Sequence, residues 1–178
     1  MKALFLDRDG VINRDTGHVY RVGEFVFLDG IFDLGREAMA KGYTIVVVTN
    51  QAGIGRGYYS EDEFHTLTAW LRERFASESV EITDVMFAPH HPEWGIGPYK
   101  AESPDRKPNP GMMLKAANRH RIDLAASVMV GDRASDMRAG AAAGIGRLVL
   151  ISDTPDLSAS MPSGVERFNS VAALVGHL

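Results

Sequence analysis

Short apolar runs alternate with stretches of helical periodicity along this chain. Lys2 to Leu6 is the first run, and its continuous apolarity predicts a strand buried on both faces. It breaks at Asp7 and Asp9, two carboxylates two positions apart, with Gly10 letting the chain turn away. Asn13 to Gly23 is polar and turn-rich, and reads as a loop folded over whatever those carboxylates face. Ile31, Leu34, Ala38 and Met39 recur at helical spacing between Ile31 and Lys41, with Gly42 as the stop. Thr44 to Val48 is β-branched and apolar, a second strand ending in Thr49, Asn50 and Gln51. A glycine-bearing loop, Ala52 to Tyr59, leads to Ser60 and Glu63. These form a capping box for a helix to about Ser77 with Phe64, Leu67, Leu71 and Phe75 inward.

Asp84 to Ala88 predicts a third strand. Pro89 to Pro110 follows as a long irregular loop with six prolines and two glycines, and loops of that length in compact domains usually carry function. Gly111 to Arg121 is helical. Ser127 to Val130 is a fourth strand that runs straight into Gly131 and Asp132, with Asp136 close behind. A small-residue helix from Met137 to Ala143, a strand from Leu148 to Ile151, a strand near Val165 to Phe168 and a helix from Ser170 complete the chain. Strands alternating with helices predict an α/β fold of three layers, a parallel sheet covered on both faces. No repeat or linker divides the sequence, so residues 1–178 are expected to form one domain.

Composition narrows the classes. The hydrophobic fraction of 45% and charged fraction of 24% are those of an ordinary globular protein. Net charge is −4 without a basic run, which disfavours nucleic acid and anionic membranes as partners. There is no run of about eighteen or more apolar residues and no signal-peptide pattern at the start. With no cysteine, thiol chemistry and thiolate metal sites are excluded. A cytoplasmic monomer is the default expectation.

Three predicted strand ends carry polar groups: Asp7/Asp9, Thr49/Asn50 and Asp132/Asp136. In open α/β sheets ligands bind beyond the carboxyl ends of strands, so one shared site explains the recurrence best. Cleaving a phosphate ester needs a nucleophile, cations to neutralise the phosphoryl oxygens and an acid for the leaving group. An aspartate can serve as the nucleophile and become an aspartyl-phosphate. Clustered carboxylates suit Mg²⁺, while Lys107 and Thr49 can supply a charge and a hydroxyl donor.

Asp7-Arg8-Asp9-Gly10, the strand ending in Thr49-Asn50, Lys107 before a helix, and Gly131-Asp132 with Asp136 resemble the four motifs of haloacid dehalogenase superfamily phosphatases. The resemblance spans essentially the whole chain with the motifs in order. Four further stretches are similar to the D-glycero-D-manno-heptose 1,7-bisphosphate phosphatases and the related histidinol-phosphate phosphatases. They are Asp15 to His18, Thr49 to Gly57, Pro89 to Pro92, and Arg106 to Met112. The resemblance implies a Rossmann-like sheet of order 5-4-1-2-3 and no cap domain. It implies Asp7 as nucleophile and Asp9 as acid and base. Asp7, the Asp9 carbonyl and Asp132 would bind Mg²⁺, with Asp136 supporting that shell from outside. Thr49 and Lys107 would stabilise the transferring group. Asp15, Thr16, Gly17, His18, Asn50, Gln51, Ala52, Arg56, Arg106 and Arg133 would contact a phosphorylated sugar.

One departure stands out. Such phosphatases often hold zinc in the Pro-His-His-Pro loop through Cys-x-His and Cys-x-Cys, where this chain has Ala88-Pro89-His90 and Ser103-Pro104-Asp105. Structural zinc wants four ligands, so zinc is expected to be absent and the loop to be held by its prolines and by packing of Trp94 and Tyr99. Histidinol phosphate is the alternative substrate. A nucleic-acid 3′-phosphatase would want a basic groove, and a receiver-like signalling domain would have no use for Asp9 or the Arg106-Lys107 loop.

Overall fold

The computed structural model describes residues 1–154 and 161–178. Six parallel strands form one sheet in the order β3-β2-β1-β4-β5-β6. They are β1 (Lys2–Leu6), β2 (Tyr43–Asn50), β3 (Ile82–Ala88), β4 (Val128–Gly131), β5 (Arg147–Ile151) and β6 (Glu166–Phe168). This is the implied order with β6 added beside β5. The helices are α1 (Ile31–Ala40), α2 (Ala52–Gly55), α3 (Glu61–Ser77), α4 (Gly111–His120), α5 (Ala134–Ala143) and α6 (Val171–Leu174).

Alternation along the strands divides the core into two layers. Leu4, Leu6, Ile45, Val47, Val128 and Val130 pack with α1, α3 and α6 through Leu34, Leu71, Phe75 and Leu174. Ala3, Phe5, Val46, Val48 and Met129 face the other way, onto Met112, Met113 and Ala116 of α4 and Met137 and Ala139 of α5. Phe75 is fully buried, and truncating such a ring to alanine typically costs about 3–5 kcal/mol. At the start of α3 the expected capping box is present: Ser60 Oγ accepts from the Glu63 N–H at 3.1 Å, and Glu63 Oε2 accepts from the Ser60 N–H at 2.8 Å.

Several boundaries differ from the periodicity reading, and three of the differences bear on the site. β2 extends to Asn50 because β3 continues to pair with it, Thr49 opposite Phe87 and Asn50 opposite Ala88. Ala52–Gly55 is a helical turn, not loop. α5 starts at Ala134, since the Asp136 carboxylate accepts from the Arg133 N–H at 3.0 Å and caps the helix earlier. The order of the sheet reverses between β1 and β4, which sets Asp7 and Asp132 side by side at its carboxyl edge. Between Asp7 and Thr49 the chain forms loop, a 3-10 turn and α1. Between Thr49 and Lys107 it forms α2, α3, β3 and the proline-rich loop with one 3-10 turn, and no cap domain is inserted. Among the described residues no helix is long and apolar enough to cross a membrane.

Candidate active site

Asp7 leaves β1 with its main-chain N–H still donating to Val130 O of β4 at 3.0 Å. Its Oδ1 accepts from the Arg8 N–H at 2.7 Å and faces Lys107 Nζ at 2.9 Å. Lys107 is 3% exposed, and its ammonium also reaches Asp136 Oδ1 at 2.7 Å and Val48 O at 2.8 Å. Burial alone would lower its pKa; the Asp136 and Asp7 carboxylates outweigh burial and raise it, so the ammonium stays charged. The Asn50 side chain holds the Lys107 backbone from both sides: Nδ2 donates to Lys107 O and Oδ1 accepts from Lys107 N–H, each at 3.0 Å.

Asp7, Asp132 and Asp136 bring carboxylate oxygens within 4.8 Å of one another. Burial, opposed by Lys107 and reinforced by Asp136 and Asp132, pushes Asp7 up to about 8. Burial and Asp136 push Asp132 up to about 6 against the pull of Arg133 and Lys107. Asp132 Oδ1 is buried with no hydrogen-bond partner. Buried carboxylates that repel, with an orphaned oxygen among them, fit a hard dication such as Mg²⁺. The close approach of the turn after β1 to Asp132 depends on Gly10: at φ +88° it turns the chain, and a Cβ there would lie 2.2 Å from Asp132 Oδ2.

Asp9 sits one turn further out with a carboxylate that four hydrogen bonds surround. Arg8 Nη2 donates to both oxygens at 3.0 and 2.9 Å, Asn13 Nδ2 to Oδ1 at 3.0 Å, and Gln51 Nε2 to Oδ2 at 3.2 Å. Gln51 Nε2 also donates to Thr49 Oγ1 at 2.8 Å, and the Tyr59 hydroxyl donates to Gln51 Oε1. Tyr59 therefore orients the amide, and the amide links Asp9 to Thr49. Burial pushes the Tyr59 phenol up to about 12, so it remains a donor.

These groups open onto a cavity of about 540 Å³. The sequence-predicted residues Asp7, Asp9, Asp15, Gly17, His18, Asn50, Gln51, Ala52, Arg56, Arg106, Lys107, Arg133 and Asp136 all line it. Thr16 does not, and is exposed; Thr49 is buried behind the wall and Asp132 lies beside it. The side chains of Asn50 and Gln51 already have protein partners, whereas Arg133 reaches across to Asp15 Oδ2 at 2.7 Å and is 65% exposed. On the loop side, Arg56 Nε and Arg106 Nη1 are buried without a partner. Burial and then the Arg56 charge lower the Arg106 pKa. Tyr59, Pro108 and Ser135 also line the cavity, and Arg8 and Asn13 hold Asp9 from behind. The sequence reading missed all five; only the Asp-Arg-Asp-Gly spacing hinted at Arg8.

The proline-rich loop is fastened differently from expectation. Tyr99 is half-buried and donates from its hydroxyl to Glu61 Oε1 at 2.8 Å. Trp94 is 57% exposed; instead of packing inward it stacks on His91 at 4.5 Å and carries the Arg56 guanidinium 4.2 Å from its ring. Burial, then Arg106 and Arg56, keep the His91 pKa below its ordinary value. Its Nδ1 accordingly accepts from the Glu93 and Trp94 N–H groups at 3.2 Å each.

Known proteins are similar to this chain. A family model described as HAD-hydrolase-like matches residues 105–158. The D-glycero-alpha-D-manno-heptose-1,7-bisphosphate 7-phosphatase of Burkholderia mallei is 59% identical over 152 residues, 85% of this chain and 80% of that one. The D-glycero-beta-D-manno-heptose-1,7-bisphosphate 7-phosphatase of Salmonella typhi is 43% identical over 173 residues, 97% of this chain and 92% of its own. Among solved structures, D,D-heptose 1,7-bisphosphate phosphatase from B. bronchiseptica, complexed with magnesium and phosphate, superposes with a TM-score of 0.86. It is 27% identical, covering 99% of this chain and 97% of that one. With the carboxylate cluster at the switch point and relatives of this identity along its length, the chain belongs to the haloacid dehalogenase-like phosphatases, in the family of the heptose-1,7-bisphosphate 7-phosphatases.

Proposed function

We propose that this protein hydrolyses the 7-phosphate of D-glycero-D-manno-heptose 1,7-bisphosphate through an aspartyl-phosphate on Asp7. The observation that carries the reading is one cavity lined both by the Asp7–Lys107–Asp136 cluster and by the cationic side chains of Arg56 and Arg106. The carboxylates of Asp7 and Asp132 and the main-chain carbonyl of Asp9 would hold Mg²⁺, with Asp136 behind them. When bound, the ion neutralises charge on the phosphoryl oxygens.

In the first half-reaction an Asp7 carboxylate oxygen bonds to phosphorus as the bond from phosphorus to the sugar oxygen breaks. Asp9 delivers a proton to that departing oxygen. Lys107 keeps Asp7 in place and, with the Thr49 hydroxyl, supports the equatorial oxygens. In the second, Asp9, now ionised, takes a proton from water as the water oxygen attacks phosphorus, and Asp7 is released with inorganic phosphate. Arg56 and Arg106 would bind the phosphate that remains on the sugar, a planar fork suiting that anion. Two positive charges there also oppose a cationic imidazole, so the heptose reading stands above histidinol phosphate, as the relatives' activity does.

Turnover of a panel of phosphorylated metabolites tests this. The heptose bisphosphate should give the highest kcat/KM, and only with Mg²⁺ present. Comparable turnover of histidinol phosphate would overturn the assignment. The relative with 59% identity acts on the α anomer and those of 43–50% on the β anomer, which favours the α anomer here. We place the enzyme in the cytoplasm, where its relatives' phosphorylated sugar substrate would be met, and read it as a monomer of one catalytic domain. We also assign no zinc to the proline-rich loop. Ala88 has no donor, and Ser103 and Asp105 are engaged instead in the loop's own contacts: Ser103 Oγ accepts from Asp105 N–H, Asn109 Nδ2 donates to Ser103 O, and Lys115 pairs with Asp105. One tightly bound zinc per chain by elemental analysis would overturn that part.

A further inference from the structure

Arg8 lies between the two motif aspartates, and its side chain is 2% exposed. It does not line the cavity, and its side-chain hydrogen bonds run to Asp9 and Val19. Its guanidinium Nη2 donates to both oxygens of Asp9 and to Val19 O at 2.6 Å, while its Nε is buried with no partner. Stability alone is a poor reason for such a residue. Well-packed apolar replacements of buried ion pairs are often neutral or stabilising, and an orphaned buried N–H is unfavourable.

Position is the better reason. The Asp9 side chain is 21% exposed and faces the cavity, and a free aspartate would sample several rotamers. Arg8 closes off those alternatives from behind, and Asn13 and Gln51 complete the seat. Through Val19 it also fastens the end of the loop whose Asp15, Gly17 and His18 form one wall of the cavity. Asp9 and the substrate-facing loop are thereby registered to one another through a single buried nitrogen.

We infer that Arg8 is a positioning residue: its buried guanidinium, bridging the Asp9 carboxylate and the Val19 carbonyl, sets the acid and base group at the distance the departing sugar oxygen requires. The inference rests on Asp9 acting as the acid. Such a role predicts an effect that depends on the leaving group. A sugar oxygen needs a proton as it departs, whereas p-nitrophenolate leaves without one. Arg8→Met should lower the rate of phosphoenzyme formation from the heptose bisphosphate by about 10²-fold, within the range of general-acid catalysis, and leave KM near its original value. The pre-steady-state burst of p-nitrophenol from p-nitrophenyl phosphate should keep its rate. Asp9→Ala should show the same selectivity, and adding Arg8→Met to it should slow the enzyme no further, because the two act as a unit.

Arg8→Lys retains the buried charge but not the fork, and should give a smaller loss with the same selectivity. It serves as the test variant should the methionine form not fold. Equal losses on both esters for the Arg8 variants, with Asp9→Ala selective, would overturn the inference and leave the assignment of Asp9 intact. Additive losses in the double variant would do the same. An Asp9→Ala variant that slowed both esters equally would overturn the acid role of Asp9, and the inference with it.

Discussion

At the sheet end of the cavity, Lys107 Nζ meets three acceptors, Asn50 holds the Lys107 backbone from both sides, and Gln51 joins Thr49 to Asp9. On the loop side, among the described residues, Arg56 Nε and Arg106 Nη1 are buried without a hydrogen-bond partner, and the Arg56 guanidinium lies over the Trp94 ring. The contrast separates two tasks. Groups that stabilise charge as it develops act best when their geometry is fixed before substrate arrives. Groups that recognise a remote anion instead keep donors unsatisfied until the anion supplies the acceptors, and their repulsion is relieved on binding.

The largest break in this contrast is Asp7→Asn. An amide cannot form the acyl-phosphate, so turnover should fall to background, while Lys107 keeps Asp136 and Val48 O and the fold survives. Retained turnover, with circular dichroism showing an intact fold, would remove Asp7 as the nucleophile. Lys107→Met comes next. Losing one preorganised donor to the transferring group should lower kcat by about 10²–10³-fold. Asp7 and Asp136 would then face each other without a cation, so the metal-free protein should lose about 3–5 kcal/mol in denaturant unfolding, the usual consequence of breaking a buried pair.

Changes at the loop end should be smaller and confined to substrates with a second phosphate. A charge-assisted hydrogen bond contributes about 1.5–3 kcal/mol, so Arg106→Ala should lower kcat/KM for the bisphosphate about 10–100-fold. A monophosphate without the remote group should be scarcely affected. Equal losses on the two substrates would end the remote-phosphate role. Smallest is Trp94→Ala: an exposed cation–π contact is worth about 0.5–1 kcal/mol, so KM for the bisphosphate should rise about two- to fivefold with kcat unchanged. A fall in kcat would mean that Trp94 reaches the sheet end.

How far the sequence foretold each end follows from how local its determinants are. Asp7, Thr49 and Asp132 sit at the ends of strands, and Lys107 lies in the loop just ahead of α4. An apolar run that stops at a polar residue is visible within a few positions. The paired carboxylates also announced a cation. Tyr59 was hidden because its role is set by Gln51 eight positions away, and the glycines that mark Ala52–Tyr59 as a turn do not show that it folds the two side chains together. Its α2 escaped for a related reason: a four-residue helix with two glycines has neither length nor propensity to show. Arg8 looked like the polar end of a strand, and its burial depends on Val19 and Asp9 closing around it. The loop's six prolines were legible, but the outward stacking of Trp94 on His91 and Arg56 depends on three segments meeting.

The absence of an inserted cap between Asp7 and Thr49, or between Thr49 and Lys107, also bears on timing. Enzymes that close a lid over substrate often wait for it to reopen, and their turnover then follows that motion. Here the cavity is lined by Asp15, Gly17 and His18 of the loop after β1 and by Arg56, Arg106 and Arg133. On the proposed mechanism, water would reach the phosphorylated Asp7 as soon as the sugar departs. The lifetime of that intermediate would then be set by how quickly Asp9 can receive a proton, and the cycle should proceed at the pace of a chemical step or of anion release from the arginines. Thickening the solvent with sucrose should accordingly slow kcat only to the extent that sugar phosphate escape is limiting, with no added drag from a moving domain.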